Sequence, residues 1–91
     1  MPIASGSMDL KGSDLRRANL AHTDLGSANL RGCHLGEANL SGANLQASDL
    51  READLEDVNS RQADRRGTNL RSTNLSGAQL KGSLLDEYTL L

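Results

Sequence analysis

The sequence predicts an all-β repeat fold, and three observations carry that prediction. A leucine recurs at every fifth position from Leu10 to Leu90, and only Ser60 and Arg65 interrupt the series. Tyr88 is the only aromatic residue among 91 residues, so the chain lacks the large side chains of a conventional small core. A repeat fold does not need them, because small residues and Leu stack between neighbouring units.

Each five-residue unit has the pattern of a very short strand followed by a turn, as in Ala38-Asn39-Leu40-Ser41-Gly42. In an extended segment the small residue and the Leu point inward, while the Asp or Asn between them points outward. A helix does not fit, because a period of five places successive leucines about 140° apart around the axis. The abundance of Asn, Asp and Gly also disfavours a helix.

The last two positions of each unit are predicted to form a corner. A type II turn needs a positive φ at its second central residue, which glycine adopts without steric cost. Glycine holds the second corner position at Gly12, Gly32, Gly42, Gly67, Gly77 and Gly82. Gly26 and Gly36 hold the first corner position instead, so we expect those two corners to differ in type.

The tandem A-[DN]-L-x-x pattern resembles the pentapeptide repeat family over about residues 8–91. The resemblance implies a right-handed quadrilateral parallel β-helix (a β-solenoid), with four pentapeptides in each of about four coils. Residues 8–91 are therefore expected to form one β-helical domain. Residues 1–7 are expected to be an N-terminal tail, and the Ser-Gly-Ser that ends it has the composition of a cloning remnant.

A coil of twenty residues distributes the units over four faces. We name them by their central residues: face one has Leu10, Leu30, Leu50 and Leu70; face two has Leu15, Leu35, Leu55 and Leu75; face three has Leu20, Leu40, Ser60 and Leu80; face four has Leu25, Leu45, Arg65 and Leu85. The formal charges of the four faces are +1, −3, +2 and −2, which sum to the net charge of −2. In the column before the central residue, carboxylates are almost never stacked directly on one another, which independently favours the twenty-residue coil.

Faces one and three are the basic faces. Face one carries a basic ladder formed by Lys11, Arg31, Arg51 and Arg71. Three carboxylates on the same face, those of Asp9, Asp49 and Glu52, are expected to neutralise that ladder in part. Face three has an amide ladder and no acidic residue, and its members are Asn19, Asn39, Asn59 and Gln79 with the cations Arg61 and Lys81.

Two places depart from the repeat. Ser60 is expected to leave a local void in the core, and a guanidinium at position 65 would be very costly to bury. We therefore predict that the chain bulges so that Arg65 reaches solvent. Two interpretations stay open: a tolerated defect of the coil, or a binding protrusion built from Arg61, Arg65 and Arg66.

The second departure is the leucine-rich C-terminal end, formed by Leu84, Tyr88, Leu90 and Leu91. An open β-helix end exposes core residues and unpaired backbone groups. This segment is expected either to cap its own coil or to form a two-fold homodimer contact. The family resemblance supports the dimer interpretation.

The sequence predicts no catalytic, cofactor or metal site. Cys33 holds an inward position, and we expect a buried structural thiol. His34 stands in a column between Asp14 and Asp54, where a contact between coils is expected, and it lacks the further ligands of a metal site. Acidic residues on a convex cylinder do not converge as acid–base catalysis requires.

Net charge and hydropathy limit which classes of partner and which cellular location the sequence favours. A net charge of −2 does not favour nucleic acid as a partner, and no apolar run is long enough to cross a membrane. No secretory signal is visible. A single cysteine is compatible with a reducing compartment, so a cytoplasmic location is expected.

We therefore expect a non-enzymatic protein-interaction or scaffold module that presents flat charged faces, with an unidentified protein as partner. The candidate partner-binding residues are Lys11, Arg31, Arg51, Arg71, Arg61, Arg65 and Arg66. One alternative, implied by the family resemblance, is a DNA mimic that binds a type II topoisomerase such as DNA gyrase. The small net charge, the short rod and the basic ladder depart from that pattern. The other alternative is a purely structural module or a fragment of a larger protein.

Overall fold

A computed structural model describes residues 8–82 of the chain. Residues that precede a central residue pair in parallel with residues twenty positions later, from Asp9 with Asn29 to Asn59 with Gln79. Four pentapeptides therefore separate stacked residues, and the twenty-residue coil favoured by the charge pattern is confirmed. Across residues 8–82 there is no helix, and each strand is a single bridging residue. The predicted tail at residues 1–7 and the leucine-rich end lie outside the described residues.

Three backbone hydrogen bonds per unit hold successive coils together. In the unit of Leu40, the Leu40 N–H donates to the Asn59 carbonyl at 2.7 Å and the Gly42 N–H donates to the Arg61 carbonyl at 2.9 Å. In return, the Asn59 N–H donates to the Ala38 carbonyl at 3.0 Å. A fourth bond, from the Ala43 N–H to the Leu40 carbonyl at 3.0 Å, closes the corner. Neighbouring coils and corners thus satisfy most of the backbone polar groups of each unit.

Every described corner has a positive φ at its second residue, whether or not that residue is glycine. Gly42 has a φ of 67°, and Glu37 has a φ of 59°. The expectation that the corners of Gly26 and Gly36 differ is wrong in this respect, because Ser27 and Glu37 take the positive φ there. The left-handed conformation costs a non-glycine residue about 1–2 kcal/mol. Hydrogen bonds between coils, each worth about 1 kcal/mol net, offset that cost.

The Asp or Asn before each central residue has a local structural role. Its side-chain oxygen accepts a hydrogen bond from the backbone N–H two residues later, as from Ser41 to Asn39 at 3.0 Å and from Gln46 to Asn44 at 2.9 Å. Equivalent bonds occur at every Asp and Asn of this column in the described range. This is the hydrogen bond of an Asx-turn, and it explains why short side chains with an oxygen acceptor recur here.

The core consists of inward leucines and small residues, as predicted. Its largest fully buried members include Leu30, Leu35, Leu40, Leu45 and Leu50. Polar small residues find acceptors inside, since Cys33 Sγ donates to the Leu10 carbonyl at 2.8 Å and Thr68 Oγ1 donates to the Leu45 carbonyl at 2.8 Å. Cys33 is fully buried, and burial raises the pKa of its thiol.

The predicted bulge at Arg65 is wrong. Ser60 and Arg65 are only 3% and 4% exposed, and both keep the corner hydrogen bond of the repeat. The backbone stays in register because Ser60 donates to the Gln79 carbonyl at 2.8 Å and Asp64 donates to the Ala43 carbonyl at 2.9 Å. A bulge would break such bonds, which link this segment to the coils on both sides.

The small side chain of Ser60 is accompanied by a larger inward residue in its own unit. Val58, which is fully buried, stands where the neighbouring coils have Ala38 and Ala78. Arg65 then places a long side chain at the next central position of the same coil. Burial lowers the pKa of Arg65, and its Nε is buried without a hydrogen-bond partner in the described part of the chain. The residue as a whole does make polar interactions.

Candidate protein-interaction surfaces

The described part of the chain shows no group of His, Cys, Asp and Glu side chains arranged to hold a metal ion. Its outer surface instead consists of the faces defined above, each with its own pattern of charge and hydrogen bonding. The candidate functional residues therefore have to be judged by the neighbours that each face gives them. Among residues 8–82, no helix has the length and the apolar character that crossing a membrane requires.

On face one, the two middle members of the basic ladder are neutralised locally. Arg31 Nε donates to Glu52 Oε1 at 3.0 Å, and Arg51 NH2 lies 2.6 Å from Asp49 Oδ2. The partial neutralisation expected from the sequence is thereby confirmed for Glu52 and Asp49. Lys11 and Arg71, at the ends of the ladder, form no ion pair with any described residue.

A local rule explains which arginines are paired. Where Asp precedes the central residue and Arg follows it, the guanidinium folds back onto the carboxylate with two or more hydrogen bonds. This occurs in Asp14–Arg16, Asp49–Arg51 and Asp64–Arg66. These hydrogen bonds hold the pKa of each of the three carboxyl groups below its usual value. The sequence signal was Asp-x-Arg, and sequence reasoning missed it because it considered charges by column and by face rather than within one unit.

Face two holds an open groove with more carboxylates than cations. Its lining residues are Asp14, Arg16, Arg17, Gly36, Glu37, Asp54, Glu56 and Asp57. The Arg17 Nε lies 3.6 Å from Glu37 Oε1 in the next coil, so the two arginines sit among their own counter-ions. His34 forms backbone bridges with Asp14 and Asp54, as its column predicts.

Face three differs from the others because it presents hydrogen-bond donors without carboxylates. The Oδ1 atoms of Asn19, Asn39 and Asn59 accept backbone N–H groups, which leaves their Nδ2 groups to donate elsewhere. In other columns that amide donates to a carboxylate, as from Asn44 Nδ2 to Asp24 Oδ1 at 3.1 Å. Face three has no such carboxylate among residues 18–22, 38–42, 58–62 and 78–82.

The cations of face three also lie apart from acidic groups. Arg61 and Lys81 are exposed and form no ion pair within the described residues. They line an open groove of about 650 Å³ together with Ser41, Asn59, Gln62 and Gly82. At the corner of this face the exposed His22 ring lies over Gly42, so a Cβ added there would require the ring to shift.

The three arginines of the predicted protrusion do not form one cluster. Arg61 belongs to face three, Arg66 is paired with Asp64 at 2.7 Å on face four, and Arg65 points into the core. A combined binding protrusion is therefore wrong, because the segment follows the regular coil and each residue takes the direction that its position dictates. The proposed dimer or cap residues Leu84, Tyr88, Leu90 and Leu91 lie outside the described range.

A parallel solenoid with a five-residue period, inward leucines and flat polar faces defines the class of protein. The family model for pentapeptide repeats matches the chain in eight copies, over residues 7–36, 24–59 and 48–86. The chain therefore belongs to the pentapeptide repeat family, whose members are right-handed β-helices. A search of curated proteins finds no significant match.

Solved structures agree with this assignment. The chain is 38% identical to the pentapeptide repeat protein Rfr23 of the cyanobacterium Cyanothece 51142, with a TM-score of 0.89 over 90% of this chain and 56% of that one. It is 33% identical to a pentapeptide repeat protein from the Arabidopsis thaliana thylakoid lumen, with a TM-score of 0.88 over 90% and 57% of the two chains. The chain thus spans just over half the length of these two relatives.

The chain is also similar to QnrB1, a plasmid-mediated fluoroquinolone resistance protein. Two solved forms of QnrB1 match at 21% and 26% identity, with TM-scores of 0.80 and 0.65. These matches cover 87% and 82% of this chain but only 41% and 38% of the QnrB1 chains.

Proposed function

We propose that the protein is a non-enzymatic interaction module whose partner binds one of its flat charged faces. In this proposal about four stacked coils form a rigid rod, and the sides of that rod are the charged faces. The observation that carries it is the sorting of charge and donors by face. Face two gathers carboxylates in a groove, while face three presents donors and cations without carboxylates.

The candidate partner-binding residues that are exposed and form no ion pair within residues 8–82 belong to two surfaces. On face one the ladder ends, Lys11 and Arg71, make no ion pair within residues 8–82, while Arg31 and Arg51 are half-buried and paired. On face three Arg61 has Lys81 as its neighbour in the column. Exposed ion pairs are individually weak, so binding is expected to depend on several residues of one face.

Charge reversal of one face at a time tests this proposal. The full chain is used to capture proteins from the native host, and each captured protein is then purified and titrated. Reversal of Arg31, Arg51 and Arg71 to Glu tests face one, and reversal of Arg61 and Lys81 tests face three. A partner whose affinity falls more than about tenfold with one face only supports the proposal. Partners that bind all variants equally contradict it, as does capture only by unfolded protein.

A second candidate is a DNA mimic that binds a type II topoisomerase, as the family resemblance implies. The carboxylate-rich groove of face two favours it, and so does the similarity to QnrB1. The pairing of Arg16 with Asp14, and of Arg17 with Glu37, weakens the negative surface that such a mimic needs. DNA supercoiling by gyrase is the assay: inhibition by micromolar protein that is lost on replacing Glu56 and Asp57 by Lys supports this candidate, and no inhibition contradicts it.

A further inference from the structure

We propose that face three is a docking surface for an extended acidic segment of a partner protein, whose carboxylates bind between Arg61 and Lys81. The inference rests on the proposed function, which leaves open both the binding face and the chemistry of the partner. Charge, hydrogen-bond direction and the geometry of the column support it independently.

The amide oxygens of face three are occupied by backbone N–H groups, which leaves the Nδ2 donors for other acceptors. Asn39 Oδ1 accepts the Ser41 N–H at 3.0 Å, and Asn59 Oδ1 accepts the Arg61 N–H at 3.2 Å. Their oxygens are therefore engaged with the backbone, and their Nδ2 groups donate to no acceptor among the described residues. A ligand on this face meets donors, and the matching ligand is rich in acceptors.

The two cations are available because the residue two positions before Arg61 is Asn. The Asp-x-Arg units hold their guanidiniums in local ion pairs, as Asp64 does with Arg66. Asn59 has no charge with which to hold Arg61 in the same way. Lys81 follows Arg61 in the same column, one coil away, at the spacing of about 4.8 Å between neighbouring strands. Two cations at that spacing suit neighbouring carboxylates, whose hydrogen bonds to charged donors are strong.

The face is better suited to a peptide than to nucleic acid. It offers only two cations, whereas nucleic-acid binding typically draws its affinity from many phosphate contacts. Residues 18–22, 38–42, 58–62 and 78–82 contain no aromatic side chain on which a base could stack. The neighbouring face two is acidic and would repel a long polyanion that extended beyond the groove. A short segment bearing a few carboxylates avoids both problems.

A matched pair of variants provides the test. Asn59→Asp keeps the Asx-turn oxygen and creates the Asp-x-Arg pattern, so Arg61 is expected to fold onto the new carboxylate. Asn69→Asp makes the same local change on face one, where Arg71 follows Asn69 in the same way, and also places a carboxylate next to Asp49 in its column. Both variants carry the same net charge, and Asp is native to this position in units such as that of Asp49. A circular dichroism spectrum and melting curve verify that both variants fold.

The probe is a synthetic peptide of alternating Glu and Gly, with its Gln–Gly counterpart as control, titrated by isothermal calorimetry at low salt. Wild type and Asn69→Asp are expected to bind the Glu peptide equally. Asn59→Asp, and the double variant Arg61→Gln with Lys81→Gln, are expected to bind it at least about tenfold more weakly. Binding is also expected to weaken as added salt screens the charges.

Several results would overturn the inference. Equal losses in Asn59→Asp and Asn69→Asp would mean that only net charge matters, and equal binding of the Gln peptide would mean that carboxylates are not recognised. Tighter binding of a single-stranded oligonucleotide of the same charge would point to nucleic acid instead. If the wild type self-associates in sedimentation and Asn59→Asp abolishes this, the occupant of face three would be face two of another copy and not an acidic segment of a partner. A partner captured through another face would leave the proposed function standing while this inference fails.

Discussion

Replacing Arg65 with an apolar residue is predicted to stabilise the protein. Arg65 occupies a central position one coil after Leu45 and is only 4% exposed, so its charged group is largely removed from water. Burial of a charge is unfavourable even when partners compensate in part, and it lowers the pKa of Arg65. The variant Arg65→Leu returns this position to the residue that the repeat otherwise places there.

The magnitude follows from two estimates. Apolar replacement of buried charged groups has given gains of about 1–4 kcal/mol, and full burial of a Leu side chain is worth about 1.5–3 kcal/mol. Leu is smaller than Arg, and the neighbouring central residue is Ser60, so a void will consume part of this gain. We expect the free energy of unfolding to rise by about 1–3 kcal/mol, with a melting temperature higher by about 4–8 °C per kcal/mol.

The assay is thermal and urea unfolding followed by far-UV circular dichroism. Arg65→Met serves as a variant closer in volume, and Arg66→Met makes the same chemical change at an exposed residue paired with Asp64. We expect Arg65→Met to gain stability and Arg66→Met to lose up to about 1 kcal/mol. If both substitutions at position 65 lower the stability, then the guanidinium contributes more to the core than its desolvation costs, and our reasoning is refuted.

Three further predictions concern the corners, the core and the surface ion pairs. Gly42→Ala should lower stability by up to about 1 kcal/mol more than Gly12→Ala in thermal unfolding, because both have positive φ but only at Gly42 must a new Cβ displace the exposed His22 ring; a larger loss in Gly12→Ala would contradict this. Cys33→Ser should retain most of the stability, whereas Cys33→Leu should lose about 1–3 kcal/mol by overpacking, and a wild-type thiol that reacts rapidly with Ellman's reagent in the folded state would contradict its burial. Arg51→Gln should cost less than about 1 kcal/mol near neutral pH. Because the folded-state pKa of Asp49 is lowered, this contribution is present above its ordinary pKa near 4 and is lost as the pH falls through the lowered value; a difference that persists in strong acid would contradict the ion pair as its source.

The fold could be predicted because nearly every unit places a small residue and a leucine inward, and this pattern repeats every five residues without a change of period. Leu40 and Ala38 take the inward positions that alternation predicts, and the pairing of Asn39 with Asn59 follows from a coil of twenty residues. The coil length itself came from a family resemblance, supported by the rarity of stacked carboxylates. Five-residue spacing alone does not determine how many units complete a coil.

Arg65 shows where residue-by-residue reasoning fails. Its polarity favours an exterior position, but its backbone is tied to the adjacent coils, and the sum of those bonds outweighs the preference of one side chain. The prediction for the corners at Ser27 and Glu37 was wrong for the same reason. The stacked coil imposes a positive φ there, which only glycine was expected to adopt.

The candidate surfaces were only partly predictable. The carboxylate-free character of face three was visible in the sequence, because it depends on which residues share a column. The neutralisation of the ladder by Asp49 was expected, but its geometry was not, because the Arg51 side chain folds back onto Asp49 along its own unit. The engagement of Asn59 Oδ1 by the Arg61 N–H is likewise a local hydrogen bond that column positions do not reveal.

The twenty-residue coil is the central claim, because it decides which residues share a face. Through-hydrogen-bond scalar couplings in an NMR spectrum of the isotope-labelled protein measure it directly. The coil predicts couplings from the Leu40 amide to the Asn59 carbonyl and from the Asn59 amide to the Ala38 carbonyl, across 2.7 Å and 3.0 Å. Couplings that instead link Leu40 to the carbonyl of Asp54 or Asp64, one unit earlier or later, would contradict the coil and every face assignment built on it.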